Sequence, residues 1–187
     1  MVKPLLSSTA TNHMPRPLTP ILKLAALALL LVGCGRSSGK IVDTSSVRIE
    51  FRRDACFGAC PVYRLTVTGD RRVTFKGESN VAIADTVHDT LSVAQFGALL
   101  HAVEVSGILT HASYDKPGCE DVTDMPSARI DVQGDGKTRY ASHYFGCKSA
   151  PKSLAPLEAA IDSIVGVERW VGPDSLRSAI LDARRRR

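Results

Sequence analysis

Cys56-Phe57-Gly58-Ala59-Cys60-Pro61-Val62-Tyr63 stands between two runs that alternate apolar and polar residues, and that placement decides the fold. Before it, Val47, Ile49 and Phe51 interleave with Arg48, Glu50 and Arg52; after it come Tyr63, Leu65 and Val67. Side chains on a strand point to opposite faces in turn, so each run reads as a half-buried strand with one apolar and one polar side. Two cysteines four positions apart pin the turn between them, and Pro61 fixes the backbone where the second strand begins. Gly58 is expected to supply an unusual dihedral inside that short ring.

Working outward, Gly69-Asp70 is a turn signal, and Val73 and Phe75 continue a third strand of a β-meander. A fourth is expected over Val81, Ile83 and Asp85, extending through Val87. Ser92 and Gln95 then form a capping box ahead of a helix whose apolar face holds Val93, Phe96, Leu99, Leu100 and Val103, with Gly107 ending it. A polar stretch from His111 to Pro126 interrupts the pattern. Ala128, Ile130 and Val132 open a fifth strand, Gly134-Asp135-Gly136 is a turn, and Lys137 to Phe145 return as a sixth. A second helix from about Pro151 turns Leu154, Leu157, Ile161 and Ile164 inward and stops at Gly166, and Trp170 covers the edge of the core. The fold class is therefore α+β: an antiparallel sheet of about six strands, a meander plus a hairpin, with two main helices on one face. Phe51, Leu65, Val67, Phe96, Leu100, Ile130, Leu157 and Ile161 are expected to be buried together.

The ends of the chain read differently. Arg16 and Lys23 precede nine uninterrupted apolar residues, Leu24 to Val32, followed by Gly33-Cys34. That run has signal-peptide length and falls short of the roughly 20 residues of a spanning helix. Leu31-Val32-Gly33-Cys34 resembles the bacterial lipobox, which implies lipidation at Cys34 after removal of residues 1 to 33, with either Met1 or Met14 as the start. The glycine- and serine-rich residues 34 to 45 are expected to be a flexible tether, residues 46 to 171 a single domain, and residues 172 to 187 a short helix with a basic tail. Gly35 in place of Asp after the lipidated cysteine points, by resemblance to lipoprotein sorting, to the outer membrane facing the periplasm.

The formal charge of +5 is a property of the ends. Lys3, Arg16 and Lys23 lie in the first 33 residues with no acid among them, and Arg184 to Arg187 close the sequence. The remaining body carries two more acids than bases, with no basic stripe interleaved with aromatics, which excludes a nucleic-acid surface. The arginine run suits either an anionic headgroup surface or a solvated end. Of five cysteines, Cys34 is assigned to the anchor, leaving Cys56, Cys60, Cys119 and Cys147 as an even set of disulfide candidates in an exported chain. Four cysteines allow three connectivities; local pairing favours Cys56 with Cys60, and Cys119 with Cys147, which the last hairpin carries back toward residue 123.

The Cys-x-Gly-x-Cys-Pro-x-Tyr pattern, the strand before it and the later Thr123-Asp124-x-Pro126 together resemble a bacterial family of domains of unknown function found in exported proteins and lipoproteins. The resemblance runs from about Val47 to Trp170 and implies no activity, substrate or catalytic residue.

Chemistry therefore has to come from the residues. A thiol-redox centre wants a cysteine at a helix N-terminus, usually two residues from its partner; this pair has three residues between and leads into a strand. Cys119, Glu120, Asp121, Asp124, His143 and Cys147 are ligand types zinc accepts, yet no short ligand spacing joins them, so no metal and no cofactor is expected. No nucleophile elbow is present, so no catalytic residue is assigned. Tyr63, Asp121, Asp124 and His143 are the candidate functional surface. The leading expectation is a lipid-anchored envelope domain that binds a protein or small-molecule ligand or serves a structural role. The alternative is a periplasmic thiol-redox or metal-dependent enzyme using Cys56 and Cys60 or the region from Cys119 to Cys147.

Overall fold

The computed structural model describes residues 40–111, 113–114 and 123–187. Cys34, Cys119 and Asp121 lie outside the described residues. The two alternating runs pair as antiparallel strands β1 (Arg48–Arg53) and β2 (Val62–Thr68), with Phe51 opposite Leu65 and Arg53 opposite Tyr63. β3 (Arg72–Ser79) and β4 (Thr86–Thr90) complete the meander, α1 (Val93–Ser106) follows, and β5 (Ser127–Gly134) and β6 (Lys137–Tyr144) form the hairpin. The order across the sheet is β4-β3-β2-β1-β5-β6, all pairs antiparallel, which puts β1 in the middle. Asp135 and Gly136, both at positive φ, form the two-residue turn of that hairpin, the twist that matches flanking strands. α2 (Leu154–Val165), α3 (Glu168–Val171) and α4 (Asp174–Arg185) close the chain.

Apolar side chains of the sheet and of α1 and α2 make one core. Seven of the eight residues expected at its centre are buried; Leu100 is partly covered and the fully buried position is its neighbour Leu99. Val93, expected on the inner face of α1, is 74% exposed. It occupies the first helical position, and the anchor there is Leu91, which with Phe96 fills the N′ and N4 places of a hydrophobic staple, both buried. The capping box is complete: Gln95 N donates to Ser92 Oγ at 3.2 Å and Ser92 N to Gln95 Oε1 at 3.0 Å. Packing also begins earlier than residue 46. Ile41 is 6% exposed within the core, and the backbone N–H groups of Val42 and Asp43 donate to the Asp135 carboxylate at the hairpin tip.

The fourth strand starts at Thr86, so the expectation over Val81, Ile83 and Asp85 is corrected. Val81–Asp85 instead crosses β3 at Gly77, where a Cβ would stand 2.0 Å from the Ile83 carbonyl oxygen. Gly77 N donates to Asp85 O, and the N–H groups of Ala82 and Ile83 reach the carbonyls of Val171 and Trp170. Backbone donors that a strand would have directed to β3 hold α3 instead. Trp170 is thereby drawn into the core, its ring 5.0 Å from Phe75 in a chain of aromatic contacts that continues through Tyr63 to Phe51.

Leu99→Ala should cost about 2 to 5 kcal/mol by urea denaturation and Leu100→Ala clearly less; a larger loss at Leu100 would mean that Leu100, and not Leu99, is the residue α1 turns into the core.

Candidate functional site

On the helix-covered face, successive rungs of the sheet are apolar, as in Phe75, Leu65, Phe51, Ile130 and Ala141, until the last. That rung reads Tyr63, Arg53, Ala128, His143 across β2, β1, β5 and β6. The alternation that turns Ile49 and Phe51 inward also turns Arg53 inward. Ala128 between Arg53 and His143 is small enough for the two longer side chains to lean toward each other above it. α2 lies over the rung and presents Glu158 and Asp162, four residues apart and so on one helix face.

These five side chains satisfy one another. Tyr63 Oη donates to Asp162 Oδ1 at 2.5 Å. Arg53 donates from Nη2 to Asp162 Oδ2 at 2.7 Å and from Nε to the Tyr63 oxygen at 3.1 Å. Its Nη1 stands 3.6 Å from Glu158 Oε2, and His143 Nδ1 is 2.7 Å from Glu158 Oε1. Aromatic rings wall the group: His143 stacks on Phe145 at 4.4 Å, and the Arg53 guanidinium carbon lies 5.0 Å from the Phe51 centroid. Beside Arg53, Tyr63 and Asp162 a cleft of about 630 Å³ opens toward α3 and the start of α4.

Burial sets the protonation states. It pushes the Tyr63 hydroxyl far up, with the Asp162 charge adding to it, so the phenol stays a donor. It raises the Glu158 carboxyl, against the opposing pull of His143 and Arg53. It works against the Arg53 charge too, but Asp162 and Tyr63 outweigh it and hold that guanidinium above its usual value.

The disulfide expected between Cys56 and Cys60 is present, with Cα atoms 5.7 Å apart, between the ends of β1 and β2. Gly58 is not at positive φ, and a Cβ there would make ordinary contact with Cys56 Sγ at 3.5 Å, so the unusual dihedral expected of it is absent. The ring is tied to the Thr123–Pro126 segment: Phe57 N donates to Asp124 O at 3.0 Å and Asp54 N to Ser127 O at 2.9 Å. Cys147 is disulfide-bonded, and its expected partner Cys119 falls outside the described residues.

Of the candidate surface, Tyr63 and His143 are brought together, as parts of one buried network. Asp124 sits on the neighbouring loop at φ 66°, exposed, with its carboxylate accepting from the Thr123 hydroxyl. Arg53, Glu158 and Asp162 were not foreseen. The signal for Arg53 was strand parity; for the acids it was two carboxylates at helical spacing beside the apolar seam of Leu154, Leu157 and Ile161. On the opposite, open face, Lys76, Arg64, Arg52 and Arg129 form a cationic rung, but carboxylates of Glu78, Asp54 and Asp131 lie within 2.9 Å of the three arginines. That face largely neutralises itself.

A carboxyl whose folded pKa is raised contributes stability below its ordinary pKa, and that contribution is lost as pH rises through the folded value. Glu158→Gln keeps an acceptor for His143 without the charge. Relative to this variant, the wild-type chain should lose thermal stability as pH rises above the ordinary carboxylate range. A wild-type advantage that grows with pH would show that His143 and Arg53 outweigh burial.

No curated protein matches the chain. A family described as a domain of unknown function, DUF6438, matches residues 47–165, from the residue before β1 to the last residue of α2, and so takes in the whole sheet and the rung beneath α2. The chain belongs to the DUF6438 family.

Proposed function

We propose that this chain is a lipid-anchored cell-envelope domain, held through Cys34 at the outer membrane facing the periplasm, and that its folded body acts by binding. The observation that carries the binding reading is the mutual satisfaction of Arg53, Tyr63, Asp162, Glu158 and His143. A general base or nucleophile needs a free atom facing substrate, whereas the groups that line the cleft, Tyr63, Asp162 and Arg53, engage each other and fix its wall. A rigid polar wall beside an open cleft suits recognition of a small ligand or a partner's side chain, with Arg53, Tyr63 and Asp162 at the contact. The disulfide fits a supporting role: its ring joins two strands, and backbone hydrogen bonds hold it.

Two measurements test this. Metabolic labelling with a tagged fatty acid should mark the wild-type protein and leave Cys34→Ala unmarked; label retained by that variant, or missing from both, would overturn the anchor. In a glutathione redox series, Cys56 and Cys60 should stay oxidised until the domain unfolds, as for structural disulfides with potentials below about −300 mV. Reversible opening of the ring in the folded protein at milder potentials would replace the binding reading with thiol-redox chemistry.

A further inference from the structure

Along α4, Leu176, Ile180 and Arg184 recur every four residues, so they lie on one face of the helix. Leu176 and Ile180 are half-buried, and the same face delivers Arg184 to the disulfide ring. Its Nη1 donates to Gly58 O at 2.9 Å and its Nη2 to Asn80 Oδ1 at 2.8 Å, while Asn80 Nδ2 donates to Cys60 O at 2.9 Å. Residues 126 positions apart in sequence are thus clamped together. Phe57, 88% exposed, is the most exposed large apolar side chain among the described residues, and it projects from a covalently closed ring with its own N–H fixed to Asp124 O. Arg185, Arg186 and Arg187, all exposed, continue directly from the residue that grips this ring, and they make no side-chain hydrogen bond or ion pair among the described residues.

We infer that the Phe57 ring and the arginine run form one docking surface for a bilayer containing anionic lipids. Arginine forks match the oxygens of phosphate headgroups, and basic residues near such a surface draw it in over a Debye length. An aromatic side chain held on a rigid projection enters the headgroup boundary with little ordering cost, because its backbone is already fixed. The combination argues for a bilayer: one 88% exposed aromatic ring beside three exposed arginines is the pairing of apolar and basic groups that the headgroup boundary takes up. This inference rests on the anchored reading in one respect. A lipid at Cys34 would hold the folded body near a bilayer, so that a weak second contact of apolar and basic character forms at high effective concentration.

The test uses the full chain carrying Phe57→Trp, an exposed position where the substitution leaves packing intact, mixed with vesicles bearing brominated acyl chains. Trp170 is buried and supplies a constant background. In vesicles of phosphatidylcholine with phosphatidylglycerol, fluorescence from the introduced indole should be quenched, and high salt should reverse it. Replacing Arg185, Arg186 and Arg187 together by Ser should weaken the docking equilibrium about 100-fold. Arg184→Lys, which keeps the charge but loses the fork, should also reduce quenching by separating ring from run. Absence of quenching in anionic vesicles, equal quenching in phosphatidylcholine alone, or indifference to the triple substitution would each overturn the inference. Fatty-acid labelling reads the anchor separately, so loss of label with quenching retained would sink the anchor alone, and the converse would sink the docking surface alone.

Discussion

A carboxylate in a core has to be answered, and Glu158 is the buried charged residue among those described, its side chain 2% exposed. An ion taken out of water carries a penalty of several kcal/mol that only close, well-aligned partners offset. The end of the sheet is arranged around that requirement: His143 comes from the last strand, Arg53 from the central one, and Ala128 between them leaves room for both to reach the same acid. Asp162, one turn further along α2, adds a second hold on Arg53 and fixes Tyr63. The position of α2 over the sheet is therefore specified by directional bonds as well as by the apolar seam of Leu154, Leu157 and Ile161. Apolar contact alone would tolerate a helix sliding along the sheet; this polar rung does not.

How much of this was legible depends on how local the cause is. The strands β1, β2, β3, β5 and β6 follow from alternation, the hairpin from Gly134-Asp135-Gly136, and α1 from its capping box, because each is decided by residues close in sequence. Val81–Asp85 alternates as a strand would, but its N–H groups at Ala82 and Ile83 are taken by Val171 and Trp170 of α3, far along the chain, and nothing local records that. Leu99 and Leu100 both lie near the inner face of α1, and only the contact with α2 decides which is sealed. The site was half legible. Tyr63 stood out as the end of the cysteine motif and His143 as a ligand-type residue on a strand, whereas Arg53 was hidden beside Arg48 and Arg52 in the first strand and Glu158 among ordinary helix formers. What distinguishes them is the partner each meets, which is a property of register and helix placement.

The two segments that carried the resemblance to a family of unknown function, the cysteine ring and Thr123–Pro126, meet through Phe57 N and Asp124 O. Asp54, at the exit of β1, ties the same two regions together through Ser127, to which it donates from its backbone and from which its carboxylate accepts. Residues far apart in the chain that look like separate signals thus form one corner of the fold, the corner next to the polar rung. The opposite face of the sheet is built differently: its arginines are matched by nearby carboxylates, so that surface remains compatible with water without a covering layer.

The central place of β1 has a consequence for the order in which the molecule assembles. Its partner β2 follows after a short turn, so the meander closes through small loops, and β5 with β6 forms a second unit around a two-residue turn. The pairing of β1 with β5 is the step that must bring together segments separated by α1 and the long connection after it, and loop closure of that length is slow relative to either hairpin. Until it happens, the middle strand of the finished sheet is an open edge, and it emerges from the ribosome well before the strand that will cover it. The charged residues alternating along β1, Arg48, Glu50 and Arg52, guard that temporary edge, since a strand carrying them is a poor template for pairing with another copy.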